Sequence, residues 1–307
     1  MLIGHEKIWS FLEQAFEQKK IPHAFLFAGG NKLGKRTLAF ELAKKVLKED
    51  VSHFQHPDFI FLGPGAEDSF SEEEKEKKKK KSLKSEIPIS KIRELIWKFS
   101  LTPSLSPFKI AVIDEAHLMN LEAQNCLLKT LEEPKGNSVL FLVSEYPELL
   151  LTTLRSRCSL IKFYPVEKEK IKRYLREKKI EEKMSQAIVE LSQGRPGLAV
   201  DFSNNPQRLQ ERAEIEKELV KILKADLETR FRWAQKRSEN LDFLKEILNS
   251  WLLLLRKNLV LKIRKKRERE EIRKEIKRIR ELEKIRFLLF FTNINPRLAL
   301  ENLMLSF

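Results

Sequence analysis

Nine residues near the N-terminus, Gly29-Gly30-Asn31-Lys32-Leu33-Gly34-Lys35-Arg36-Thr37, fit the spacing GxxxxGK, and that spacing carries a chemistry. Glycines let the backbone curl until its N–H groups converge, a following helix N-terminus adds positive potential, and the lysine neutralises an outer phosphate. Gly29, Gly30, Asn31, Gly34, Lys35, Arg36 and Thr37 are therefore the candidate nucleotide-binding residues. One position departs from a magnesium-assisted site. The residue after the lysine should carry the hydroxyl that ligates the metal, yet Arg36 stands there and Thr37 follows. One residue along a helix turns a side chain by roughly 100°, so magnesium ligation is not expected unless Thr37 rescues it.

The second constellation is Ile110-Ala111-Val112-Ile113-Asp114-Glu115-Ala116-His117, an apolar run closed by two carboxylates. Behind a phosphate loop, Asp114 is the candidate for holding magnesium and Glu115 for orienting an attacking water. A third, Leu154-Arg155-Ser156-Arg157-Cys158, presents two arginines; taken alone, such a pair reads as surface charge, because an arginine finger acts across an interface.

These groups need strands and helices to hold them. Apolar spacing predicts a helix over residues 6–18, a buried strand over 24–28, a loop over 29–34 and a helix over 37–48. Further strands are expected at 59–62, 109–113, 139–144 and 160–163, with helices at 89–99 and 121–131. Strands alternating with helices imply a parallel sheet with crossover helices. From Val166 onward the pattern is helix after helix, so the fold class is α/β followed by an all-helical part.

The chain of 307 residues exceeds one ordinary domain and carries 60 Lys and Arg against 45 Asp and Glu, a net charge of +15 that suits a polyanionic partner. No apolar run reaches the roughly 18 residues of a membrane span, and residues 1–18 do not read as a secretory leader. A cytoplasmic protein without membrane attachment is expected. Two cysteines, Cys126 and Cys158, are too few for a disulfide framework and read as buried thiols. Residues 66–84, with five consecutive lysines after Glu72-Glu73-Glu74, read as a solvated, disordered charged insertion. Residues 256–286 hold fifteen Lys and Arg against six Glu. Leu259, Ile263, Ile272, Ile276, Ile279, Leu282 and Ile285 recur there at helical spacing, predicting an apolar seam with either a solvated or a phosphate-contacting outer face.

Taken in order, "IGHEKIWSFLEQAFEQKKIPHAFLFAGG", "GGNKLGKRT", "KIAVIDEAHLMNLEAQNCLLKTLEEP" and "LLTTLRSRC" resemble the bacterial sliding-clamp loader subunits of DNA polymerase III, in the AAA+ superfamily, and among them the delta-prime branch. The resemblance runs from about Leu2 to Phe202, and "NINPRLALENLML" is similar to the close of a helical collar. It implies an AAA+ domain over 1–164, a small helical lid over 165–203 and an oligomerising collar over 204–307. It also makes Arg157, in Ser156-Arg157-Cys158, a finger offered to a neighbouring subunit's ATP, and gives Ser144 the sensor-one position. The partners implied are gamma/tau-like and delta-like subunits, the sliding clamp through the assembled loader, and primer-template DNA.

Two departures from the motor subunits of that family shape the expectation. Residues 49–58 lack the cysteines of a zinc module, leaving only His53 and His56, so no zinc is expected. In the register of Gly194-Arg195-Pro196-Gly197, the position of a gamma-phosphate-sensing arginine falls on Gly197. Pro196 favours an extended residue before it, which argues against Arg195 as a replacement. ATP and magnesium binding through Lys35 and Asp114 stays open, whereas independent hydrolysis is not expected. The alternatives are an active gamma/tau-like motor and, behind it, a DNA-binding protein with an inactive nucleotide site.

Overall fold

The computed structural model describes residues 2–18, 20–49, 51, 56–63 and 86–307. The charged insertion expected at 66–84 and His53 lie outside them. The chain divides into two compact units, Met1–Ser203 and Asn204–Phe307.

The first unit is built on five parallel strands: β1 (Ala24–Ala28), β2 (Phe59–Leu62), β3 (Lys109–Ile113), β4 (Ser138–Ser144) and β5 (Ser159–Lys162), in the spatial order β2-β3-β4-β1-β5. Successive side chains on a strand point to opposite faces. Phe25 and Phe27 of β1, Ile110 and Val112 of β3, and Phe141 and Val143 of β4 thus share one buried cluster. Ala24, Leu26, Ala111, Ile113, Leu140 and Leu142 share another. Both faces are covered, which is why the central strands read as unbroken apolar runs. Over the first face lie α1 (Glu6–Glu17), through Leu12 and Phe16, and α2 (Lys35–Leu47), through Leu38 and Leu42. Over the second lie α3 (Ile89–Phe99), α4 (Leu121–Glu132) and the single turn α5 (Thr152–Arg155).

The order of strands decides where a ligand can sit. The chain leaves β1 toward β2 at one edge, whereas it leaves β4 toward β5 on the other side of β1. A crevice therefore opens at the C-terminal ends of β1 and β4, where the connections part in opposite directions. After β5 come α6 (Lys168–Glu177), α7 (Glu182–Ser192) and α8 (Pro196–Asn204).

The second unit is helical throughout: α9 (Pro206–Lys224), α10 (Leu227–Arg237), α11 (Leu241–Arg264), α12 (Arg269–Phe291) and α13 (Pro296–Ser306). Asn205, Asp226, Asn240 and Asn295 each accept a backbone N–H of the helix that follows, a cap worth about 1 kcal/mol over alanine. The core centres on Trp251, which stacks on Trp233 at 4.7 Å and donates its indole N–H to Ile215 O at 3.2 Å.

Two expectations need correction here. Ile263 is exposed, although the apolar seam was expected to include it. The seam position is taken instead by Lys262, whose ammonium reaches the buried Glu275 carboxylate at 2.6 Å. Cys158 is buried as read, and burial pushes its thiol up to about 12, but Cys126 is only half-buried.

Candidate functional site

The residues singled out by their spacing converge on the crevice. A cleft of about 720 Å³ is lined by Asn31, Gly34, Lys35, Arg36, Thr37, Asp114 and Glu115. It also takes in His117, which follows β3 with Asp114 and Glu115, and Glu145, which follows β4. The loop opens on Gly29, and α2 begins at Lys35, two residues before the sequence spacing placed it. Gly34 explains the difference: at φ 91° it supplies the left-handed turn that starts the helix early.

Lys35 is buried, and its ammonium donates to Gly29 O at 2.6 Å and Gly30 O at 2.7 Å. Burial lowers it to about 8, against the opposing pull of Glu145 and Asp114. A lysine held this way still carries its charge at neutral pH and sits at the mouth of the loop. Asp114 Oδ1 accepts the N–H of Glu115 at 3.0 Å, while Oδ2 faces Arg36 Nη1 at 3.4 Å. Glu115 adopts φ 51°, a left-handed backbone held directly after β3.

Ser144, at the end of β4, is fully buried; its hydroxyl accepts Tyr146 N at 3.1 Å and lies 3.3 Å from His117 Nδ1. Burial, then the charge of Lys35, pushes His117 down to about 4, so the ring is neutral at physiological pH. His117 and Glu145 were not assigned roles from the sequence. The signal was available: both follow the C-terminal end of a parallel strand, where ligands gather.

Arg195, which the sequence argued against as a phosphate-sensing replacement, stands before the start of α8 at Pro196, and its Nη1 donates to Asn31 O at 2.6 Å, so it packs on the phosphate loop. Gly197 N donates to Lys32 O at 2.9 Å, and Lys32 pairs with Asp201 at 2.8 Å. The start of α8 is thereby fastened to the loop by three contacts. A Cβ at Gly197 would stand 3.0 Å from Lys32 O, which accounts for the glycine.

Arg157 lies elsewhere. Its Nη2 is 2.7 Å from Glu132 Oε1 and its Nη1 donates to Thr153 O at 2.9 Å. The register Phe25↔Ser159 puts the residues before Ser159 at the N-terminal end of the sheet. The phosphate loop leaves the C-terminal end of β1, about 16 Å away along the strand at about 3.3 Å per residue. Arg157 is not among the groups lining the cleft.

His56 is buried, with Nδ1 accepting Asp58 N at 3.0 Å. Among the described residues no cluster of three or more His, Cys, Asp or Glu is arranged to hold a metal. No helix among them is long and apolar enough to cross a membrane.

The family model for "DNA polymerase III, delta subunit" matches residues 4–167, more than half of the chain and the whole of the sheet. This chain belongs to the DNA polymerase III delta-subunit family. Among relatives, the delta' subunit of Pseudomonas aeruginosa is 32% identical over 151 residues, 44% of this chain and 41% of that protein. The delta' subunit of Bacillus subtilis is 27% identical over 223 residues, 68% of this chain and 62% of its own. The tau subunit of Bacillus subtilis is 30% identical over 162 residues, 53% of this chain and 28% of that protein. The delta-subunit family member described here thus spans less than two thirds of the length of each relative.

Proposed function

We infer that this chain is the delta-prime-like, stationary subunit of a replicative clamp loader in the cytoplasm, and that it supplies Arg157 to ATP held by a neighbouring gamma/tau-like subunit. The observation that carries this reading is the position of Arg157 at the end of the sheet opposite Lys35. A guanidinium there is out of reach of a nucleotide in the chain's own cleft, so beyond its contacts with Glu132 and Thr153 it can meet a phosphate only across an interface. A finger acts by stabilising charge that develops on the transferring phosphoryl group, worth roughly 10³–10⁵ in rate.

On this reading, residues 165–203 form a lid and residues 204–307 a collar that joins other loader subunits, so that the assembly can place a sliding clamp on primed DNA. The chain's own site retains ATP as a ligand of Lys35, Gly29, Gly30, Asn31 and Gly34, while Glu115 and Ser144 hold the water-orienting and sensor-one positions without turnover. The test is Arg157→Ala in the assembled loader: hydrolysis at one interface is lost, and the variant chain stays folded. Unchanged ATPase in that assembly contradicts the finger.

The second reading, an active gamma/tau-like motor, is favoured by the intact placement of Lys35 on the loop. It requires Lys35, Asp114 and Glu115 to act together, and Asp114 already faces Arg36.

A further inference from the structure

A magnesium ion at a phosphate loop needs about six oxygen ligands at about 2.0–2.1 Å, usually including a hydroxyl after the lysine and a nearby carboxylate. The hydroxyl is missing from the position after Lys35, and the nearby carboxylate, Asp114, is already engaged. The hydroxyl's place belongs to Arg36, a permanent cation that only donates hydrogen bonds. Its guanidinium lies over the rings of Phe61 and Phe40 at 5.2 and 5.5 Å and faces Asp114 Oδ2 at 3.4 Å. The other oxygen, Oδ1, accepts the Glu115 N–H. Thr37, one step along α2, is exposed and rotated by roughly 100° from the position required.

Steric detail reinforces this fit. Gly63, at the end of β2, is tight against Asp114: a Cβ there would come within 2.8 Å of Asp114 Cβ and 3.1 Å of the Phe61 ring. The carboxylate and the aromatic ring that flank Arg36 are therefore packed against one another by a residue without a side chain. Arg36 itself stays about half exposed and lines the cleft. In the same cleft Ile3, Tyr174 and Val200 offer apolar surface on which a base ring can lie.

We propose that this cleft takes the polyphosphate of a nucleoside triphosphate without a divalent cation, Arg36 standing in the metal's place with Asp114 as its tether. The inference rests on reading residues 29–37 as a phosphate loop and is independent of Arg157. At neutral pH Lys35 and Arg36 together present positive charge to the phosphates, beside Asp114, Glu115 and Glu145 in the same cleft. A magnesium-bound triphosphate would bring further positive charge against the guanidinium, whereas the metal-free anion meets it directly.

The experiment is equilibrium binding of ATP to the full chain, in EDTA and in excess magnesium, for the wild type, Arg36→Thr and Lys35→Ala, with inorganic tripolyphosphate as a parallel ligand. Wild type is expected to bind ATP at least as tightly in EDTA as in magnesium. Arg36→Thr, on an exposed helix face, is expected to keep its thermal transition but lose roughly tenfold in EDTA and to regain affinity when magnesium is added. ATP binding tighter than tripolyphosphate supports the nucleotide; equal affinities overturn that part and leave a polyphosphate site. Magnesium-dependent binding by the wild type, or an Arg36→Thr variant that binds normally in EDTA, overturns the metal-free site. Binding undiminished in Lys35→Ala instead overturns the phosphate-loop reading beneath it, and absence of saturable ATP binding by the wild type overturns both.

Discussion

Arg157 and Glu132 form an ion pair at 2.7 Å that joins the end of α4 to the turn before β5. Both side chains are substantially exposed there, so the pair contributes at most about 1 kcal/mol to stability. The guanidinium is thus held in one direction without being locked into the fold. A proposed finger of this kind can leave Glu132 for a phosphate at small cost.

Glu132→Gln separates holding from acting. The variant is expected to fold with a thermal midpoint within a few degrees of wild type, since a surface pair of this size moves it little. Its assembled loader should hydrolyse ATP at least as fast as wild type, because Arg157 remains present. A loss of activity matching that of Arg157→Ala would make Glu132 part of the interface rather than a resting partner.

The pH dependence of ATP binding follows from Lys35. Burial lowers it from 10.5 to about 8, so its charge is present at neutral pH and is lost as pH rises through that value. Affinity for ATP should therefore fall between about pH 8 and 10, and Lys35→Arg should flatten the profile. The same burial makes the unfolded chain bind more protons than the native one between pH 8 and 10.5. Across that interval Lys35 contributes a rise in stability with pH, measurable in Lys35→Met as its loss.

Gly194 offers a test of how α8 is fastened. It has φ 77°, and a Cβ would stand 2.8 Å from both Pro165 Cβ and Val166 O. Left-handed strain and overpacking cost roughly 1–3 kcal/mol each, so Gly194→Ala should lose about 3 kcal/mol in denaturant unfolding. A neutral result would mean that the turn relaxes and that the docking of Arg195 on Asn31 O does not depend on it.

Much of this architecture was readable because it is local. The strands at 24–28, 59–62 and 109–113 and the helix at 89–99 stand as their apolar spacing predicted, since both faces of the sheet demand unbroken apolar runs. The grouping of Lys35 with Asp114 was legible through motif order. The contact of Arg195 with Asn31 O, made across 164 positions of chain, was not. No periodicity encodes it, and the local rule about Pro196 bears only on where the helix begins. Ile263 failed for a related reason: helical spacing cannot tell whether Lys262 finds a buried carboxylate such as Glu275 on the neighbouring helix.

The basic stretch of the second unit is expected to act as a solvated face. Lys274 pairs with Glu270 at 2.9 Å one turn away, and Arg256 pairs with Glu283 across α11 and α12. Reversing Lys265, Lys266 and Arg267 to Glu should leave affinity for primed DNA unchanged. A reduced affinity together with a shallower salt dependence would identify phosphate contacts there.

The measurement that bears most directly on the stationary-subunit reading is steady-state ATP hydrolysis by the purified chain alone, beside Lys35→Ala. Arg36 stands where the hydroxyl after the lysine belongs and faces Asp114 Oδ2 at 3.4 Å, and the account predicts no turnover above the Lys35→Ala background. Turnover that disappears with Lys35 would contradict it and make this chain a motor.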